Sequence, residues 1–171
     1  KKTIEFLLEN GAPVTGIGFQ GHIGSNLPDP ARVVRILDDF ATLGLKMRVT
    51  EFDVNVTDED VQARFTRDFM TAVFSHPQVV GFQLWGFWEG RHWKPNGAMY
   101  RRNWEPKPNA HAYRDLVLKQ WWTTAAGATG PDGTYRTRGF LGDYDVRVTH
   151  DGTTSTSTLS LSRDSKPVQI R

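Results

Sequence analysis

Read for the spacing of its apolar residues, the chain alternates between short strand-like runs and helical stripes. Residues 1–9 read as the end of an amphipathic helix closed by Asn10-Gly11. Residues 14–20, with Ile17 and Phe19, have the pattern of a buried strand and give way to Gly21-His22. Pro28-Asp29-Pro30 then predicts a helix start, with Asp29 as N-cap and Pro30 in the first turn. Val33, Val34, Leu37, Phe40 and Ala41 follow at helical spacing, and Gly44 closes the element. Residues 46–54 form the next strand. Thr57-Asp58-Glu59-Asp60 has the spacing of a capping box, with Asp60 where Glu or Gln is usual. Val61, Phe65, Phe69 and Val73 mark one helical face that stops at His76-Pro77. Residues 79–88 are a continuous apolar run, the pattern of a strand buried on both faces. After a loop rich in Gly, Trp, Arg and Asn, Pro106-Lys107-Pro108 opens a last helix running through Tyr113, Leu116 and Val117 to Trp121.

Strand and helix in turn, three times over, is the signature of a parallel α/β sheet. Three units cannot close a barrel that needs eight strands and about 250 residues. The expectation is therefore a C-terminal part of such a barrel over residues 1–122, completed by an N-terminal portion present as another chain or segment. That reading predicts two open sheet edges and an uncovered apolar interior face. From Thr123 the texture changes: Gly127, Gly130, Pro131-Asp132-Gly133 and Gly142-Asp143 are turn signals. Between them, residues 135–140, 144–149, 156–161 and 168–171 read as short strands of a small antiparallel β appendage over residues 123–171. The Thr/Ser run 153–158 follows Asp151-Gly152 and reads as part of a hairpin rather than a linker. Trp121 and Trp122 are expected at the seam between the last helix and this appendage.

Composition narrows the function classes. The 171 residues suit one domain, or one with a small appendage. Six Trp and ten Phe imply that some aromatics line a pocket or interface. A net charge of +2 with scattered Lys and Arg gives no support to a nucleic-acid partner, despite a pI near 9.0. The absence of cysteine excludes disulfides and thiolate metal sites. His92, His111 and His150 lack metal-ligand spacing, so neither metal nor cofactor is expected. No apolar run approaches the roughly 20 residues of a membrane helix, and the first residues lack a signal-peptide pattern.

The candidate chemistry sits where strands end. Gln20 and His22 end the first strand, Glu51 and Asp53 the second, and Trp85, Trp88, Glu89 and Trp93 follow the third. Polar residues at the ends of successive parallel strands converge on one rim. Carboxylate, imidazole and indole together suit a carbohydrate site: the carboxylate attacks or stabilises an oxocarbenium-like centre, histidine orients it, and indole faces stack on sugar rings. Taken singly, Glu51 is better explained by a strand-end carboxylate bonded to backbone or a lysine. Likewise His22 reads as structural, Asp53 as supporting rather than catalytic, and Trp88 as packing.

Taken together, the motifs Gly16-Ile17-Gly18-Phe19-Gln20-Gly21-His22, Thr50-Glu51-Phe52-Asp53-Val54 and Leu84-Trp85-Gly86-Phe87-Trp88-Glu89 resemble the sixth, seventh and eighth strands of glycoside hydrolase family 10. That family comprises endo-β-1,4-xylanases on a TIM (β/α)8 barrel. The tail around Arg138-Gly139-Phe140-Leu141-Gly142-Asp143-Tyr144 resembles the β appendage of its plant-type members. The resemblance implies that Glu51 is the nucleophile and that His22 hydrogen-bonds it. It implies substrate-binding roles for Gln20, Trp85, Trp93 and Glu89, xylan or xylo-oligosaccharide as substrate, and a secreted or extracellular location. It also exposes an absence: the family's acid/base glutamate, on the fourth strand, has no counterpart here. A retaining glycosidase needs two carboxyl groups about 5–5.5 Å apart. Asp53 is a poor substitute, because residues i and i+2 step about 6.5–7 Å along a strand. These residues alone are not expected to hydrolyse xylan. The alternative is a non-catalytic carbohydrate-binding or structural fragment with a tryptophan platform.

Overall fold

The computed structural model describes residues 1–165. The chain divides into two units, residues 1–116 and 117–171. The first unit runs α1 (Lys2–Glu9), β1 (Gly16–Phe19), β2 (His22–Ile23), α2 (Pro30–Ala41), β3 (Lys46–Val54), α3 (Glu59–Ser75), β4 (Val79–Leu84), a 3₁₀ turn (Pro95–Gly97) and α4 (Pro108–Asp115). A π-helical turn, Leu116–Gln120, continues α4.

Local chemistry sets the helix starts. Asp29 Oδ1 accepts the Ala31 N–H at 2.7 Å, with Pro30 beside it at the head of α2. In α3 the cap is Asp58 rather than Thr57: its Oδ1 accepts the amides of Asp60 and Val61 at 3.0 and 2.9 Å. Asp60 is thus too early for a reciprocal box and, with Glu59, instead complements the positive end of the helix.

The sheet is parallel and centred on β3, with β1 and β2 in succession along one edge and β4 along the other. Met47, Val49, Phe52 and Val54 of β3 pack against Leu37 of α2 and Phe65, Phe69 and Val73 of α3. Within this core Phe52 and Phe69 stack at 4.9 Å between centroids, and Phe65 and Phe82 lie 5.7 and 6.3 Å from Phe69. Away from this core, Arg48 is paired with Gly18 and Gly81, and Val80 and Gln83 of β4 are exposed. Arg48 donates to Gln83 Oε1 at 3.4 Å and lies so close over Gly81 that a Cβ there would be 2.5 Å from Nε. A further difference is that β4 stops at Leu84, two residues before Gly86 turns the chain at φ +96°, and that none of its residues is fully buried. Trp85 to Trp88 are therefore loop residues, not the end of a doubly buried strand.

In the second unit β5 (Gly142–His150) and β6 (Thr153–Leu161) form an antiparallel hairpin. Its turn, Asp151-Gly152, has both φ angles positive, at +46° and +75°, as a two-residue hairpin of the favoured twist requires. Residues 135–140 are not a strand: the Phe140 amide donates to the Thr123 hydroxyl at 3.0 Å instead of to a ladder partner, and the Tyr144 hydroxyl donates to the Phe140 carbonyl. The strand expected at 168–171 lies outside the described residues.

Phe69 joins three other rings, so Phe69→Ala should lower unfolding free energy by about 3–5 kcal/mol. The denaturant midpoint measures it, and a loss under about 1 kcal/mol would contradict this placement of the core.

Candidate active site

The positions of Glu51 and Asp53 follow from one extra residue in β3. The core-facing residues of that strand are Met47, Val49, Phe52 and Val54, spaced two, three and two apart. Register shows the same insertion against both neighbours: Val49 and Phe52 face Phe82 and Leu84 of β4, while Phe19 and His22 face Val49 and Asp53. Without this bulge, period-two alternation would send Glu51 into the core with Met47 and Val49. The edge made by β1 and β2 is broken at Gly21, whose φ is +83°; a Cβ there would lie 3.0 Å from Val49 Cγ1. Glycine is needed at that point for both reasons.

Beyond the bulge the two carboxylates meet His22. Its Nε2 lies 3.2 Å from Glu51 Oε2, and its Nδ1 lies 3.1 Å from Asp53 Oδ2. With both carboxylates ionised, an imidazolium donates to both, whereas a neutral ring donates to only one of them. The carboxylates differ in environment: the Asp53 side chain is 3% exposed and the Glu51 side chain 24%. Asp53 also accepts the Trp93 indole N–H at 2.6 Å. That leaves Asp53 committed to protein donors and Glu51 open to a ligand.

Two indoles flank the imidazole. The Trp85 and Trp93 ring centroids lie 6.0 and 5.0 Å from that of His22, both edge-on, and both indoles are about half exposed. Trp85 is placed by its amide, which donates to the Phe52 carbonyl at 3.1 Å. Lys94 Nζ sits 4.8 Å from the centre of the Trp93 ring. Exposed indole faces beside a carboxylate suit stacking on a sugar ring.

Of the remaining sequence candidates, Gln20 contributes its carbonyl, which accepts the Glu51 amide at 2.9 Å, while its side chain is exposed. Glu89 is bonded within its own loop, its Oε2 accepting the Arg102 amide at 3.1 Å. His92, dismissed above on metal spacing, proves to stand behind Asp53. Its Nδ1 accepts the Lys94 amide at 3.1 Å, which puts the proton of the neutral ring on Nε2, 3.9 Å from Asp53 Oδ2. Burial holds the His92 pKa below its ordinary value; Asp53 opposes this, and Lys107 and His22 add to it. The usable sequence signal was adjacency, since His92 precedes Trp93. Among the described residues no cluster of His, Asp and Glu is arranged to hold a metal.

The loop carrying these residues is tied to α3 by charge. Arg101 grips Glu59 through both oxygens at 2.8 and 2.7 Å, and Lys107 Nζ lies 3.9 Å from Glu59 Oε1. The Arg101 hydrogen bond holds the Glu59 carboxyl below its usual range, whereas burial lowers the Lys107 pKa.

Comparison with known proteins bears on the same residues. The family model of glycosyl hydrolase family 10 matches residues 1–116. Endo-1,4-beta-xylanase 1 of Arabidopsis thaliana is 40% identical over 143 residues, 83% of this chain and 15% of that protein. Anti-sigma-I factor RsgI6 of Acetivibrio thermocellus is 34% identical over 168 residues, 97% of this chain and 22% of that protein. Among solved structures, xylanase 10B from Thermotoga petrophila, in complex with xylobiose, superposes with a TM-score of 0.62 at 32% identity, covering 70% of this chain and 41% of that one. The chain thus spans about a fifth or less of these two curated relatives and about two fifths of the solved xylanase.

Because folded His92 resists protonation, the unfolded chain takes up its proton first on acidification. The stability owed to neutral His92 is complete above the ordinary imidazole pKa and is lost as pH falls through it. Urea midpoints should therefore begin to drop as pH falls below the ordinary imidazole pKa of about 6.5. His92→Gln should flatten that segment while leaving the loss at more acidic pH, where Glu59 titrates. An equally steep segment in the variant would contradict the assignment.

Proposed function

This chain belongs to glycosyl hydrolase family 10, and from that premise we propose that it supplies the nucleophile side of a retaining endo-β-1,4-xylanase. The observation that carries the reading is the imidazole of His22 held between buried Asp53 and half-open Glu51. Such a relay fixes the Glu51 carboxylate in orientation, and the bulge in β3 aims it away from the core.

In the proposed reaction a Glu51 oxygen attacks the anomeric carbon of a xylosyl unit as the bond to the leaving oxygen breaks. A glutamate outside these residues, on the N-terminal barrel portion, donates the proton to that oxygen and later takes one from the water that hydrolyses the glycosyl ester. Asp53 does not fill this second role, since its side chain is 3% exposed and its Oδ2 is held by the Trp93 and His22 nitrogens. Trp85 and Trp93 are proposed to stack on xylose rings. Gln20 is proposed as a polar contact to the substrate, with Glu89 shaping the loop beside it. The substrate is proposed to be xylan or xylo-oligosaccharide in a secreted or extracellular setting. No chemistry is assigned to residues 123–171.

A second reading has a specific observation in its favour. The same stretch recurs over 97% of this chain in a protein named as an anti-sigma factor, not as a hydrolase. A glycan-binding module that does not cleave would use the same indole platform.

One substitution separates the two. In the complete polypeptide, Glu51→Ala should lower kcat on xylan on the order of 10⁴-fold, with binding of xylo-oligosaccharide retained. Undiminished hydrolysis in the variant would remove Glu51 from the nucleophile role. Binding without hydrolysis in the unaltered protein would establish the second reading.

A further inference from the structure

Asn96 is an exposed residue in a one-turn 3₁₀ helix, and its side chain does nothing that the site requires. Its carbonyl, however, is where two buried polar side chains converge. Gln62 of α3 donates from Nε2 to Asn96 O at 2.5 Å and to Val54 O at 2.6 Å, one bond for each amide hydrogen. Lys107, at the head of α4, donates from Nζ to the same Asn96 oxygen at 2.8 Å. Gln62 is fully buried and Lys107 is 3% exposed. Burying an amide and an ammonium is costly unless their donors are bonded, and here the donors of both side chains are bonded, while Gln62 Oε1 is buried without a partner among the described residues.

What the clamp holds down is the back of the candidate site. Val54 ends β3, one residue beyond Asp53. The clamped turn ends at Gly97, where a Cβ would lie 3.1 Å from His92 Cε1 and 3.4 Å from Asp53 Cβ. The turn therefore rests directly on Asp53 and on the ring next to Trp93. The Gly97 amide donates to the Lys94 carbonyl at 2.7 Å and the Lys94 amide to His92 Nδ1, making residues 92–97 one bonded segment.

We propose that Gln62 and Lys107 are positioning residues for the nucleophile. By gripping the Asn96 carbonyl they seat residues 92–97 against β3, which holds the Trp93 indole on Asp53, Asp53 on His22, and His22 on Glu51. Neither residue reaches the substrate face. Burial pulls the Lys107 ammonium toward its neutral form, and the nearby Glu59 carboxylate opposes that pull. This inference rests on the proposed hydrolase reading, and its test includes a readout that does not.

The experiment uses the complete polypeptide with Gln62→Met and Lys107→Met, alone and in a Trp93→Phe background. In the native background each variant should lose about 10²-fold in kcat, the size of an ångström-scale misplacement, with KM moving less than about threefold. In the Trp93→Phe background the same substitutions should cost less than about twofold, because the relay they support is already cut. Lys107→Arg, which keeps a cationic donor, should recover most of the loss. A loss that multiplies fully in the Trp93→Phe background would overturn the proposal, as a merely structural role predicts. Independently of activity, the indole N–H resonance of Trp93, identified by its absence in Trp93→Phe, should move upfield in each variant as its bond to Asp53 weakens. An unchanged resonance overturns the clamp even if the protein hydrolyses nothing. Should Gln62→Met fail to fold, Lys107→Met decides by the same two readouts. Absence of hydrolysis in the unaltered protein, with the resonance shifting as expected, counts against the hydrolase reading alone.

Discussion

A buried carboxylate cannot be left without donors, and that requirement on Asp53 organises the first unit. Removing a carboxylate from water costs several kcal/mol unless hydrogen bonds replace the lost hydration. Asp53 obtains them from two directions: the His22 imidazole on the neighbouring strand and the Trp93 indole on the loop after β4. Satisfying one side chain therefore fixes two others, one against Glu51 and one beside it. Glu51, the proposed nucleophile, stays partly exposed, while Asp53 two residues on is buried and bonded to protein groups.

That division depends on backbone geometry that alternation alone does not produce. The extra residue in β3 turns Glu51 and Asp53 to the side opposite the packed helices, and the left-handed Gly21 lets the adjoining edge follow. A bulge beside a functional site is a recurrent way to re-aim a side chain without disturbing the core. Here the core keeps Phe52 stacked on Phe69 directly behind the residues that face outward. Stability and site geometry are thus set by alternate residues of one strand. A substitution at Phe52 or Gly21 would disturb both, which separates such positions from Trp85, whose exposed ring belongs to the site alone.

Much of this was legible from spacing. The limits of β3, the Asp29 cap and the Asp151-Gly152 turn follow from local chemistry that tertiary contacts do not override. The failures have physical causes. Thr57 and Asp58 are adjacent cap formers, and only the observed bonds choose between them. Residues 79–88 read as a continuous apolar run, but Gly86 ends the strand early, and Val80 and Gln83 are exposed. Residues 135–140 alternate like a strand yet spend an amide on Thr123. At the site, the motifs name His22 and Glu51, and the structure places the two within bonding distance. Asp53 was legible as a supporting carboxylate, whereas the placement of His92, Gln62 and Lys107 depends on contacts with segments far away in the chain, which a pattern within a short window does not show. Gln62 left one clue: it is a polar residue one helical step from Phe65 and Thr66 on the buried face of α3.

A nucleophile at Glu51 must form a covalent bond to sugar. A xylobioside with fluorine at C2 of its reactive ring and a good leaving group slows both displacement steps, the second enough for the glycosyl-enzyme to accumulate. Given to the complete polypeptide and followed by peptide mass spectrometry, it should label a single carboxylate, on the peptide carrying Glu51, with loss of activity in step with labelling. A label on any other residue, or continued turnover of xylan with Glu51 unmodified, would contradict the assignment of this strand end as the nucleophile.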